Sequence, residues 1–144
     1  MSRRVRLALG ALLAGLAAAT GDASPAQDYM LNCMGCHGTE AQGIPGRVPP
    51  LAGSLSLFMR SAEGRNYLLR VPGAANSSLS DAELAAVLNW LAATYGVANG
   101  PAPAPFTVEE VTRTRHEPLA DVKNTRQAVV RQLAATGAAP PAEY

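Results

Sequence analysis

The two cysteines of this chain stand three apart and directly before a histidine, in Cys33-Met34-Gly35-Cys36-His37. Two thiols one helical turn apart can each add across a vinyl group of a haem, and the histidine that follows is then carried to the iron. A chain built on this pattern folds around a flat apolar group that becomes part of its own core, so these five residues constrain the fold more than any other stretch. Other uses fit less well. A thioredoxin-like redox pair opens a helix after a strand, and nothing before Cys33 reads as strand. A structural zinc needs four ligands, and the one other strong candidate, His116, is far away in sequence. A plain disulfide leaves His37 unexplained. The motif reads as one covalent haem c, with Cys33 and Cys36 binding the cofactor and His37 as the metal ligand; no catalytic residue is assigned.

The N-terminus supports this reading. Arg3, Arg4 and Arg6 precede an apolar run over residues 7–19, and small residues follow, around Ala17-Ala18-Ala19 or Gly21-Asp22-Ala23. This is the charged, apolar and cleavable pattern of a secretory signal, here residues 1–23. The run is shorter than the roughly 20 apolar residues a spanning helix needs, so no stable membrane span is expected after cleavage. No cysteine lies at the cleavage region, which argues against a lipid anchor. Haem is attached to such motifs outside the cytoplasm, so the expected location is the periplasm. From Ser24 onward nine basic residues meet ten acidic ones, leaving one net negative charge and no basic patch for nucleic acid.

A composition break divides the remainder. Residues 97–106 alternate Pro and Ala and read as a semi-rigid linker between a haem domain, 24–96, and a helical tail, 107–137. Residues 138–144 read as a disordered end. In the haem domain Ser24 caps a first helix, with Pro25 at its first position and Gln27 completing a capping box. Ala26, Tyr29, Met30 and Cys33 then share one face. A second helix is expected over residues 63–71, stopped by Pro72-Gly73. The third has Ser80 as cap, Glu83 as box partner and a Leu79–Leu84 staple. Its stripe is Leu84, Val87, Leu88, Leu91 and Tyr95, and Gly96 is its expected left-handed stop. Trp90 reads as a half-buried aromatic on this helix. In the tail Thr107 and Glu110 form a further capping box for a short helix that Pro118 must end, and a last helix covers residues 122–136, with Arg126 interrupting its apolar stripe. The tail either folds back on the haem domain or docks on another protein. A 70-residue unit buries too little to be comfortably stable alone, so the chain without haem is expected to be largely unfolded.

Three helices, Cys-x-x-Cys-His at the end of the first, and Trp or Tyr on the last resemble the class I c-type cytochromes. The fold class implied is all-α: a small three-helix haem domain, here with a C-terminal helical tail. Pro49-Pro50-Leu51 followed by Gly53 is similar to that family's Pro-x-Leu turn. The resemblance implies that the Pro49 carbonyl accepts a hydrogen bond from Nδ1 of His37. One departure stands out: the loop before the last haem-domain helix, residues 71–79, where the family carries its second iron ligand, has no methionine. Met59, an open position, His116 or a partner's residue are the alternatives. The expected function is that of a periplasmic carrier of single electrons, to or from a periplasmic dehydrogenase or other redox protein, and possible as a fixed subunit with the tail as its clamp. The rival is a five-coordinate haem acting as a peroxidase or small-ligand sensor. No distal constellation of His, Arg and acid can be assembled from a haem segment without a second histidine.

Overall fold

The computed structural model describes residues 23–137 and 139–141. The expected signal, up to residue 22, lies outside the described residues, as do Ala138 and residues 142–144 of the expected disordered end. The described residues are helical and contain no strand; an isolated bridge between Ile44 and Val48 closes one loop. No helix among them is long and apolar enough to cross a membrane.

Helix α1, Pro25–Asn32, starts where its sequence says it must: Ser24 accepts from the Gln27 amide and the Gln27 side chain accepts from the Ser24 amide. Its buried face is not the expected one, because Met30 is exposed while Asp28 and Tyr29 are buried. Tyr29 is the contact to the later helix, with its ring 5.7 Å from that of Trp90, and Leu31 points to solvent. A one-turn helix α2, Met34–His37, follows at once and carries the attachment motif.

After a loop, α3, Leu55–Phe58, buries all four of its residues, an element the sequence reading missed. Helix α4, Ala62–Arg70, is capped by Ser61 and begins one residue earlier than expected. Pro72 does more than end it: with its fixed φ it opens another single turn, α5, Pro72–Ala75. Helix α6, Asp81–Tyr95, has the full Ser80–Glu83 capping box, and Leu79, Leu84, Val87, Leu88 and Leu91 are buried as the stripe requires. Gly96 does not take the left-handed stop. Its φ is −68°, and a Cβ there would stand 2.2 Å from the Ala92 carbonyl oxygen. Glycine is needed here for close passage, since the chain leaves α6 along α3, where the Val97 amide donates to Ser56.

The tail folds back. Helix α7, Val108–Thr114, packs on α4 and α6, and α8, Val122–Ala134, packs on α3 and α4. Phe106, Val111, Val129, Val130 and Leu133 thereby join one core cluster with the residues of the haem segment. Thr107 caps α7, yet its box is incomplete because the Glu110 carboxylate turns away to bind Arg65. Asp121, not singled out from sequence, caps α8.

The Pro/Ala segment is held near both of its ends. Arg60 donates to the Asn99 carbonyl, Arg65 to those of Ala104 and Pro105, and Asn89 forms a paired hydrogen bond with the backbone of Phe106. Arg65 also lies 4.2 Å over the Phe106 ring. Further on, Arg70 donates to the carbonyls of Glu117 and Pro118. Arg115, itself in the tail and 3% exposed, reaches back to Ser77, Leu79 and Asp81. Near the end of the chain Pro140 is buried and the Pro141 carbonyl accepts from Arg126.

Candidate cofactor site

The α1–α2 junction, the loop 47–51, and helices α3 to α6 surround a mainly apolar cavity of about 290 Å³. Cys33, Cys36 and His37 all line it. Helical geometry explains why: three residues of spacing bring both cysteines to one side of a single turn, and the next residue is carried to the same opening. Both thiols are free, Cys33 half-buried and Cys36 exposed at the rim. Burial, with the nearby Asp28 carboxylate and Cys36 as lesser causes, pushes the Cys33 thiol up.

His37 is fixed by its ring. Its Nδ1 lies 3.0 Å from the carbonyl oxygen of Pro49, so Nδ1 is the donor and Nε2 keeps its lone pair for a ligand. Burial lowers the imidazole's pKa, and the Pro49 hydrogen bond opposes that only in part. Burial favours the neutral ring and the hydrogen bond fixes its orientation, a state in which Nε2 could ligate a metal. The loop that supplies Pro49 is tied in turn to the motif: the Gly43 amide donates to the His37 carbonyl, and the Leu51 and Ala52 amides to that of Ala41.

The opposite group of lining residues comes from later in the chain. Phe58 and Tyr67 stack with centroids 5.3 Å apart, and Leu68, Val71, Gly73, Ala74 and Ser77 continue that wall through α5. Val122 and Arg126, one turn apart on α8, complete it. Neither was expected in the site. The interruption that Arg126 makes in the apolar stripe of α8 was the available signal, but nothing local says what that face meets.

Of the candidate second ligands, Met59 is 3% exposed and belongs to the core around α3, not to the cavity wall. Met30 and Met34 do not line the cavity either. His116 is exposed and borders a separate cleft with Arg70 and Arg115.

The residues present fit a haem. Two free thiols and one oriented imidazole open onto one apolar space, which a covalently attached apolar macrocycle would fill. Comparison with known proteins points the same way. The family model described as Cytochrome c matches residues 26–94. Among curated proteins, a cytochrome c-552 of Thermus thermophilus is 39% identical over 127 residues, covering 75% of this chain and 84% of that protein. A second Thermus thermophilus cytochrome c-552 is 38% identical over 106 residues, covering 60% of this chain and 81% of its own length. Cytochrome c-554(548) of Halomonas halodenitrificans is 32% identical over 74 residues, covering 45% of this chain and 87% of its own.

Proposed function

This chain belongs to the cytochrome c family, and on that footing we propose that it is an exported monohaem carrier that exchanges single electrons with a periplasmic dehydrogenase or other oxidoreductase. The family binds haem c covalently. In this chain Cys33 and Cys36 are the residues that would hold it, and His37 would be its iron ligand. The haem supplies the one-electron chemistry; the protein supplies burial, orientation and ligand basicity.

One observation carries the reading: Cys33, Cys36 and His37 share a single apolar cavity, and the His37 ring is held by the Pro49 carbonyl. The Pro49 hydrogen bond makes the imidazole a stronger donor, which favours the oxidised iron, while apolar burial favours the form of lower charge. The balance of the two tunes the potential without any residue having to react. Export is supported by the basic and apolar pattern of residues 1–23 and by the need for attachment outside the cytoplasm.

The test is expression with a haem c maturation system, followed by haem staining of a denaturing gel and intact mass measurement. A stained band that loses its stain in the double variant Cys33→Ser, Cys36→Ser, and a mass lacking the signal, are the expected results. An unstained wild-type band, or a mature chain that keeps residues 1–23, would count against attachment or export respectively.

A further inference from the structure

Where the segment after α7 crosses the start of α5, it leaves a second cavity of about 290 Å³, apart from the one that holds the attachment motif. Its polar lining is mainly basic: Arg70, the last residue of α4, meets Arg115 and His116 across it, with Asn76 and Glu117 beside them. Pro118 and Leu119 supply apolar wall, and α5 contributes Pro72 and Ala75.

The two arginines differ in what they have left to give. Arg115 is buried and spends all five of its N–H groups, on the carbonyls of Ala75, Leu79 and Ser77, the Ser77 hydroxyl and the Asp81 carboxylate. Its ion pair with Asp81 offsets its charge. Arg70 is in the opposite position. Its Nε donates to the Glu117 carbonyl at 3.0 Å, Nη2 to the Pro118 carbonyl at 2.6 Å and Nη1 to the Asn66 side chain at 2.8 Å. One N–H on each Nη is left over. All three acceptors are neutral, and among the described residues no carboxylate forms an ion pair with Arg70. Three bonds also fix the plane of the guanidinium, so little freedom remains to be lost when something binds to it.

We propose that this cleft is a binding site for a small multivalent oxyanion of the phosphate type, gripped by the two unspent N–H groups of Arg70 and by His116. A planar fork with two adjacent donors matches two oxygens of such an anion. Glu117, whose exposed carboxylate shares the wall, opposes the anion and sets a limit on its affinity. The site has a consequence for the carrier reading, on which this second part rests. Helix α5 lines both cavities, with Pro72 and Ala75 toward this cleft and Gly73 and Ala74 toward the other. An anion bound here therefore places negative charge behind the wall of the cofactor cavity and favours the oxidised haem.

Inorganic phosphate is the probe, titrated calorimetrically into the full-length protein at constant ionic strength, with chloride as the control. A haem-to-protein ratio is measured first, so a chain that carries no haem counts against the carrier reading and not against this site. Saturable binding of one phosphate per chain is expected; heats no larger than those of chloride overturn the site. Arg70→Gln should weaken binding about tenfold and His116→Gln severalfold, while Glu117→Gln, which removes the opposing charge, should tighten it. Arg113→Gln removes an exposed cation of α7 outside the cleft and should change nothing. A loss in the Arg113 variant equal to that in the Arg70 variant would mean general charge attraction and overturns the site. Should Arg70→Gln disturb the joint it helps to hold, the variants of His116 and Glu117, both exposed side chains, still decide: no change in either overturns the assignment. Spectroelectrochemistry then reads the coupling. Phosphate should lower the reduction potential of the wild type and leave that of Arg70→Gln nearly unmoved, and a wild-type potential that responds to phosphate no more than to chloride overturns it.

Discussion

Gly43 holds a backbone φ of +70°, and a Cβ there would stand 2.4 Å from the Val48 carbonyl oxygen and 2.7 Å from the Pro49 carbonyl carbon. The clash is with backbone, so only movement of the loop can relieve it, and that loop carries the oxygen that orients His37. Gly46 provides the control: its φ is +73°, but a Cβ there meets nothing within 4 Å. Gly46→Ala should therefore cost only the left-handed conformation, about 1–2 kcal/mol. Gly43→Ala should cost more and should also weaken the His37–Pro49 hydrogen bond, making the imidazole a poorer donor and raising the reduction potential. Thermal melts and spectroelectrochemistry of the two variants check this; equal losses of stability with unchanged potentials would argue against the coupling. At this scale the juxtaposition that makes up the candidate site was largely legible in advance. Cys33, Cys36 and His37 are adjacent in sequence, and the His37–Pro49 pairing followed from a turn already associated with such motifs. Arg126 was not legible, because its place in the cavity depends on how a distant helix docks.

Helix starts were the most readable elements, and the reason is physical. A capping box is closed by residues three apart, so Ser24 with Gln27 and Ser80 with Glu83 carry their own instructions. Thr107 and Glu110 match the same pattern, yet a longer-range partner wins: the ion pair with Arg65 takes the Glu110 carboxylate away from the cap. Gly96 was misread for a related cause, since the space it needs is set by contact with Ala92 and Ser56 and not by a helix stop. The joint between α6 and α7 has a similar long-range origin, and it gives a pH prediction. Asp81 accepts from Thr112 and, at 3.1 Å, from Arg115. The Thr112 hydrogen bond first, and the Arg115 hydrogen bond next, hold the Asp81 carboxyl below its ordinary value; desolvation opposes them, and the charges of Arg115 and His116 add to the lowering. A carboxyl with a lower pKa in the folded than in the unfolded chain stabilises the fold above the unfolded value, about 3.9, and that contribution fades as the pH falls through the folded value. Asp81→Asn should thus lower stability near neutrality by a small amount, and should bring the two proteins together in strongly acid solution. Chemical denaturation of both across that range measures the gap; a gap that widens toward acid would contradict the assignment.

In the whole molecule, the composition break that suggested a linker marks a strap across the surface of the haem segment. Its alternating Pro and Ala do favour extended backbone, but extended backbone offers carbonyls at regular intervals, and Arg60 and Arg65 take them. Such contacts join residues about forty positions apart, which is why no window of local sequence could reveal them. The all-α class and the order of the five longer helices were legible, while the single turns between them were not; the docking of the tail was one of two open alternatives. Its consequence is energetic as well as topological. Phe106, Val111, Val129, Val130 and Leu133 are all buried, and fully burying a side chain of this kind contributes about 1.5–3 kcal/mol. Five of them are together comparable to the whole stability of a small domain, about 5–15 kcal/mol. The tail also supplies Val122 and Arg126 to the cavity wall. Truncation after Tyr95 removes this core and opens the wall at once, so the shortened chain should incorporate less haem and melt at a much lower temperature, even though Cys33, Cys36 and His37 remain. Replacing Arg65 by Ala in the full chain should produce a milder form of the same defect, since it releases the strap but leaves its apolar residues available to dock. Haem-to-protein ratios and melts of the three proteins order the effects. A truncated chain with full haem content and unchanged melting would mean that the haem segment is self-sufficient and that the docked tail contributes little to it.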